Sequence, residues 1–98
     1  MVKSNTNQGQ KMNAIEAKIA TMTETQIVDG LRYMGDTFGF LDSGKWSDAE
    51  REVRAYLLCA LEDHGWSDYR ADVLDAELFW GSESVANVHA MYAALDRA

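Results

Sequence analysis

The chain has 98 residues, no proline, one cysteine and a formal net charge of −7. That length supports one modest hydrophobic core, and the lone Cys59 excludes an internal disulfide. No apolar run approaches the roughly 20 residues of a membrane span, and the N-terminus lacks the basic flank and apolar run of a secretory signal; the expected compartment is a reducing cytoplasm.

Residues 1–11 (MVKSNTNQGQK) hold almost nothing to bury, so a polar N-terminal tail is expected there, followed by a single helical domain over 12–98. Between Met12 and Met22, the helical spacing of Ile15, Ile19 and Met22 predicts a short first helix with a narrow apolar face. Thr23-Glu24-Thr25-Gln26 has the pattern of a capping box, in which a hydroxyl and a side-chain carbonyl exchange hydrogen bonds with the first turn. From there Ile27, Leu31, Met34, Phe38 and Leu41 recur at spacings of four, three, four and three, a helical stripe. Gly30 and Gly35 each cost about 1 kcal/mol relative to Ala in a helix interior, which predicts an end or a bend near Gly35. Residues 38–45, with Gly39 and Asp42-Ser43-Gly44, read as a loop.

Trp46-Ser47-Asp48 and Trp66-Ser67-Asp68 are two copies of one helix-start signal, twenty residues apart: a Trp anchor, a Ser N-cap and an Asp at the positive end of the helix dipole. Glu50 completes a Ser-x-x-Glu box in the first copy; Arg70 stands in that place in the second, so the second cap is expected to be weaker. In the helix between them Val53, Tyr56, Leu57, Ala60, Leu61 and His64 share one face, and Gly65 suits a left-handed C-terminal cap. Opposite lie Asp48, Glu52, Ala55, Cys59 and Glu62. The fourth helix, about Asp68 to Trp80, is expected to bury Ala71, Leu74 and Leu78 and to expose Asp68, Asp72, Asp75 and Phe79 as one stripe. Ser82 is the expected cap of a fifth helix with Val85, Val88, Met91, Tyr92 and Leu95 on its buried face. The fold class that follows is all-α, four or five short helices in an orthogonal bundle, because no heptad repeat is sustained.

Charge is placed unevenly. Residues 1–40 carry four acids and four bases; residues 41–83 carry eleven acids against Lys45, Arg51, Arg54 and Arg70; Asp96 and Arg97 cancel. The whole excess lies in the third and fourth helices, a field that repels nucleic acid and attracts a basic partner. A helix-turn-helix with the fourth helix as reader is disfavoured for this reason, since a reader must approach phosphates and this one carries Asp68, Asp72 and Asp75 against Arg70.

Chemistry is harder to find. Cys59, Asp63 and His64 lack the paired ligand spacing of structural zinc, and His89 lies 25 residues beyond His64. No glycine-rich phosphate loop or nucleophile elbow occurs, and carboxylates such as Asp72 and Glu77 are too common here to single out an acid/base pair. No enzymatic activity, metal or cofactor is expected.

A short, acidic, proline-free helical chain with its acids concentrated between Asp48 and Glu83 resembles the small inhibitors carried by phages and plasmids, in particular anti-CRISPR proteins and DNA mimics. The resemblance is one of overall character; those inhibitors share no motif. It implies a non-enzymatic inhibitor that binds a basic surface of a nucleic-acid-handling complex, plausibly a CRISPR effector, and competes with nucleic acid. The residues expected to meet that partner, read from the charge pattern, are Asp48, Glu52, Asp68, Asp72, Asp75 and Phe79. The alternative is a small helical adaptor or homodimeric regulatory protein using Ala55, Cys59 and Phe79 as an interface.

Overall fold

In the computed structural model, which describes residues 14–97, the chain is all-α. Five helices follow one another: α1 (14–20), α2 (Glu24–Phe38), α3 (Asp48–Asp63), α4 (Asp68–Phe79) and α5 (Ser82–Arg97). The expected tail 1–11 and the first residues of the expected first helix lie outside the described residues.

Each start signal operates as its chemistry requires. Thr23 accepts from the Gln26 backbone N–H at 3.2 Å while the Thr23 N–H donates to Gln26 Oε1 at 2.9 Å. Ser47 and Glu50 form the same reciprocal pair, with the Ser47 N–H donating to Glu50 Oε1 at 2.8 Å. Ser67 accepts from Arg70 N at 3.2 Å without a reciprocal bond, so α4 starts with one fewer orphan amide satisfied. The fifth start differs from expectation: Ser82 is already helical, and Gly81, at φ +109°, supplies the carbonyl that accepts from Val85 N. A glycine there avoids the Cβ strain of a positive φ.

Helix α2 buries Ile27, Leu31 and Met34 and runs unbroken past Gly35 to Phe38. Gly35 marks a close approach: a Cβ there would lie 3.1 Å from the Leu78 carbonyl oxygen of α4. Missing side-chain bulk lets the two helices touch, which is why a helix-weakening residue sits inside a helix. After Gly39 (φ +76°) the loop is tied to the rest. Leu41 N donates to Phe79 O at 3.0 Å, Arg51 donates to Leu41 O at 2.8 Å, and the Trp46 indole N–H reaches the carbonyls of Gly39 and Phe40.

The core is the junction of α2, α3 and α4 with Trp46 beneath it. Ile19, Ile27, Leu31, Met34, Leu41, Trp46, Leu57, Ala60, Leu61, Leu74 and Phe79 are buried together. Trp66, the second anchor of the repeat, stays half-buried at the edge, where its indole N–H donates to Glu24 Oε1 and the Arg70 guanidinium lies 3.6 Å over its ring. At the end of α3, Gly65 adopts φ +93° as its position requires, and His64, expected on the apolar face, is exposed with Nε2 3.2 Å from Met22 O.

Two expectations fail for a common reason. Phe79, expected to be exposed, has no accessible surface, and α5, expected to bury an apolar face, buries no residue. The apolar positions of α4 do not form one stripe: Ala71, Leu74, Ala76 and Phe79 spread around more than half of the helix and all are buried. The inward side is therefore centred near Asp75 rather than near Leu74 and Leu78. Helix α5 packs on α4, and Met91 and Leu95 stay 50% and 62% exposed.

Candidate functional site

On α3 the expected outward stripe holds. Asp48, Glu52, Ala55, Cys59 and Glu62 are all exposed, and at 1.5 Å per residue the stripe runs about 21 Å. From α1, Glu16 faces the same side: together with partial burial, the carboxylates of Glu16 and Glu52 push the Tyr56 hydroxyl above its ordinary pKa.

The stripe ends at a corner where carboxylates converge. Helices α3 and α4 are joined only by residues 64–67, so Glu62 and Asp63 close one helix shortly before Asp68 and Asp72 open the next. Glu62 is held above its ordinary pKa, chiefly by the charge of Asp68, then by partial burial and a hydrogen bond with Asp68; Asp72 and Asp63 push the same way. The field extends to α5. Tyr92 donates to Asp72 Oδ2 at 2.6 Å and is pushed up to about 12, first by that hydrogen bond and then by burial and the charges of Asp72, Asp68 and Glu62.

Among the described residues the ion pair is Arg54–Asp75, and Arg70 is turned onto Trp66. The last turn of α3 has no basic residue, and Glu62 and Asp63 lie at the negative end of its dipole, an unfavourable place for an acid.

The six residues expected to form the site separate accordingly. Asp48, Glu52 and Asp68 are exposed. Asp72 is half-buried and accepts from Tyr92. Asp75 is bound on one oxygen by both Nε and Nη2 of Arg54, at 3.0 and 2.6 Å, with the two side chains only 16% and 21% exposed. Phe79 lies under that pair, 5.2 Å from the Arg54 guanidinium, with its ring edge-on to Trp46 at 5.4 Å. A ring with no exposed surface cannot fill a partner's pocket in this conformation, so its expected role as an exposed anchor is corrected; its place is in the core. The same burial removes Phe79 from the alternative interface with Ala55 and Cys59.

Residues that sequence reasoning left out of the site are Glu62, Asp63, Tyr69 and Tyr92. The signal for the first two was present: a four-residue connection forces the last acids of one helix against the first acids of the next. The tyrosines were not legible. Tyr69 and Tyr92 stack at 4.5 Å with their planes 9° apart, and the Tyr69 hydroxyl meets His89 Nδ1, a ladder that fastens α5 to α4.

Two of the concavities among the described residues bear on the site. One, of about 370 Å³, is lined by Gly30, Tyr33, Met34, Phe38, Val53 and Leu57 between α2 and α3. The other, of about 340 Å³, opens between α4 and α5. Among the described residues no group of three or more His, Cys, Asp and Glu is arranged to hold a metal ion, and no helix is long and apolar enough to cross a membrane. No known protein family, curated protein or solved structure matches this chain.

Proposed function

We propose that the protein is a non-enzymatic inhibitor that binds a basic surface of a nucleic-acid-handling complex, in the manner of anti-CRISPR proteins and DNA mimics, and competes there with nucleic acid. The observation that carries this reading is the uncompensated corner. The carboxylates of Asp68, Asp72 and Asp63 push the Glu62 pKa up, and among the described residues none of these four acids is ion-paired. Such an arrangement works against the fold, because like charges repel and two of the acids oppose the dipole of α3. It serves a cationic partner: Lys or Arg entering the corner relieves the repulsion and gains charge-assisted hydrogen bonds. Asp48 and Glu52 on the exposed stripe of α3 carry the same sign beyond the corner, and a field of one sign speeds association with a positive groove.

The partner is sought by pulldown from bacterial lysate at two salt concentrations, comparing the wild type with a variant carrying Glu62→Gln and Asp68→Asn. The expected result is a nucleic-acid-handling protein captured at low salt, lost at high salt and lost in the variant. Capture of the same proteins by both forms, or only of proteins without a basic groove, would overturn the reading.

A further inference from the structure

The groove between α4 and α5 combines exposed apolar surface with a carboxylate that has no ion-pair partner among the described residues. Ala76, Trp80, Val88 and Met91 form the apolar part of its lining, and Trp80 and Met91 are 49% and 50% exposed. Exposed aromatic and aliphatic surface gathered in one concavity is unfavourable in water and marks interaction sites. Its remaining lining is polar, Asp72, Asp75, Ser84 and Asn87. Asp75 is neutralised by Arg54. Asp72 accepts one hydrogen bond, from Tyr92, and has no cation among the described residues, while Glu62 and Asp68 add to its field.

Charge complementarity selects among the occupants that would cover such a groove. A second copy of this chain brings a net charge of −7 and its own Asp72 against this one, which repels. A neutral apolar helix would cover Asp72 without giving it a counter-ion, and burying a carboxylate without one is unfavourable. A segment with an apolar side chain and an Arg or Lys beside it satisfies both walls and carboxylate. The volume, about 340 Å³, is near the lower end of ligand pockets and suits a few side chains.

We infer that this groove is the specificity-determining contact for the partner: it seats a cationic amphipathic segment of a protein, with an apolar side chain between Trp80 and Met91 and a Lys or Arg at Asp72. This rests on the basic-partner reading above and adds to it an anchor that the exposed acids lack. The acids steer and align; the groove holds.

The full-length ¹⁵N-labelled protein is titrated with a helical peptide built of leucine and lysine, with oligolysine of equal charge, and with a leucine–glutamate counterpart. Expected are binding of the leucine–lysine peptide with shifts at the Trp80 indole N–H, Val88 and Met91, and no binding of the glutamate peptide. Trp80→Ala and Met91→Ala, each confirmed as folded, are expected to weaken the leucine–lysine peptide by about tenfold or more, as truncation of an anchor does, and to leave oligolysine unchanged. Peptide affinity untouched by both substitutions, shifts confined to the α2–α3 groove, or a dimer that buries Trp80 would overturn the inference. If oligolysine binds at Glu62 and Asp68 while the groove variants change nothing, the groove assignment falls and the basic-partner reading stands. If neither cationic peptide binds, both fall.

Discussion

Phe79→Ala separates a core residue from a binding anchor more sharply than any other substitution in this chain. The ring has no exposed surface, packs edge-on against Trp46, and supports the Arg54–Asp75 pair above it. Truncating a buried Phe to Ala costs about 3–5 kcal/mol, the sum of lost transfer energy and the cavity left behind. The edge-to-face contact with Trp46 accounts for about 0.5–1.5 kcal/mol, and the Arg54 guanidinium over the ring for about 0.5–1 kcal/mol, so a loss within that range, about 4 kcal/mol, is expected. Domains of this size have a total stability of about 5–15 kcal/mol, and at an m-value of about 2 kcal/mol/M in urea the midpoint should fall by about 2 M. Equilibrium urea unfolding followed by circular dichroism measures it, with Phe79→Leu as the control that keeps most of the apolar volume and loses less. A loss under about 1 kcal/mol with native helicity would refute the reasoning: Phe79 would then be accessible in solution and free to serve a partner.

Ser47→Ala should cost about 1 kcal/mol and more than Ser67→Ala, because only Ser47 has its reciprocal Glu50 bond; equal losses in urea would contradict that ordering. Gly30→Ala should stabilise the fold by about 0.5–1 kcal/mol, since the new methyl meets only Leu57 Cδ1 at 3.8 Å, whereas Gly35→Ala should destabilise it, because its methyl meets the Leu78 carbonyl at 3.1 Å; thermal unfolding of the pair checks the opposite signs. The folded-state pKa of Glu62 is raised above 4.5, so its stabilising contribution is fully present below that pH and is lost as pH rises through the raised folded value. Glu62→Gln should therefore be more stable than the wild type near neutrality, with the difference shrinking toward pH 4.5, a trend read from urea midpoints across that range.

Local signals in this sequence translated well. The helix starts at Thr23, Ser47 and Ser67 and the left-handed Gly65 depend on a few neighbouring residues, and the outward stripe of α3 follows from one strong apolar face on the other side. Helix α4 defeated the same method. Its apolar residues spread around more than one side because two neighbours contact it, the α2–α3 layer and α5, and Asp75 faces inward because Arg54, twenty-one residues earlier, reaches it. A helical wheel holds no information about a partner on another helix, so an ion pair over a buried ring looked like an exposed acidic and aromatic stripe. Gly35 misled in the same way: propensity argued for a bend, while the close approach of Leu78 requires a glycine in a continuous helix. The acidic corner lay between the two cases. Its members are visible in the sequence, and their convergence follows from a connection too short to keep them apart.

The claim that the acidic corner competes with nucleic acid is tested most directly by displacement. A labelled nucleic acid is bound to purified CRISPR effector complexes, and the wild type and the Glu62→Gln, Asp68→Asn variant are titrated against it at low and high salt. The account predicts that the wild type releases the nucleic acid from at least one complex at low salt, that its potency falls steeply as salt rises, and that the variant, folded and no less stable, is markedly weaker. Displacement that is indifferent to salt and to both substitutions, or no displacement from any complex, would contradict it.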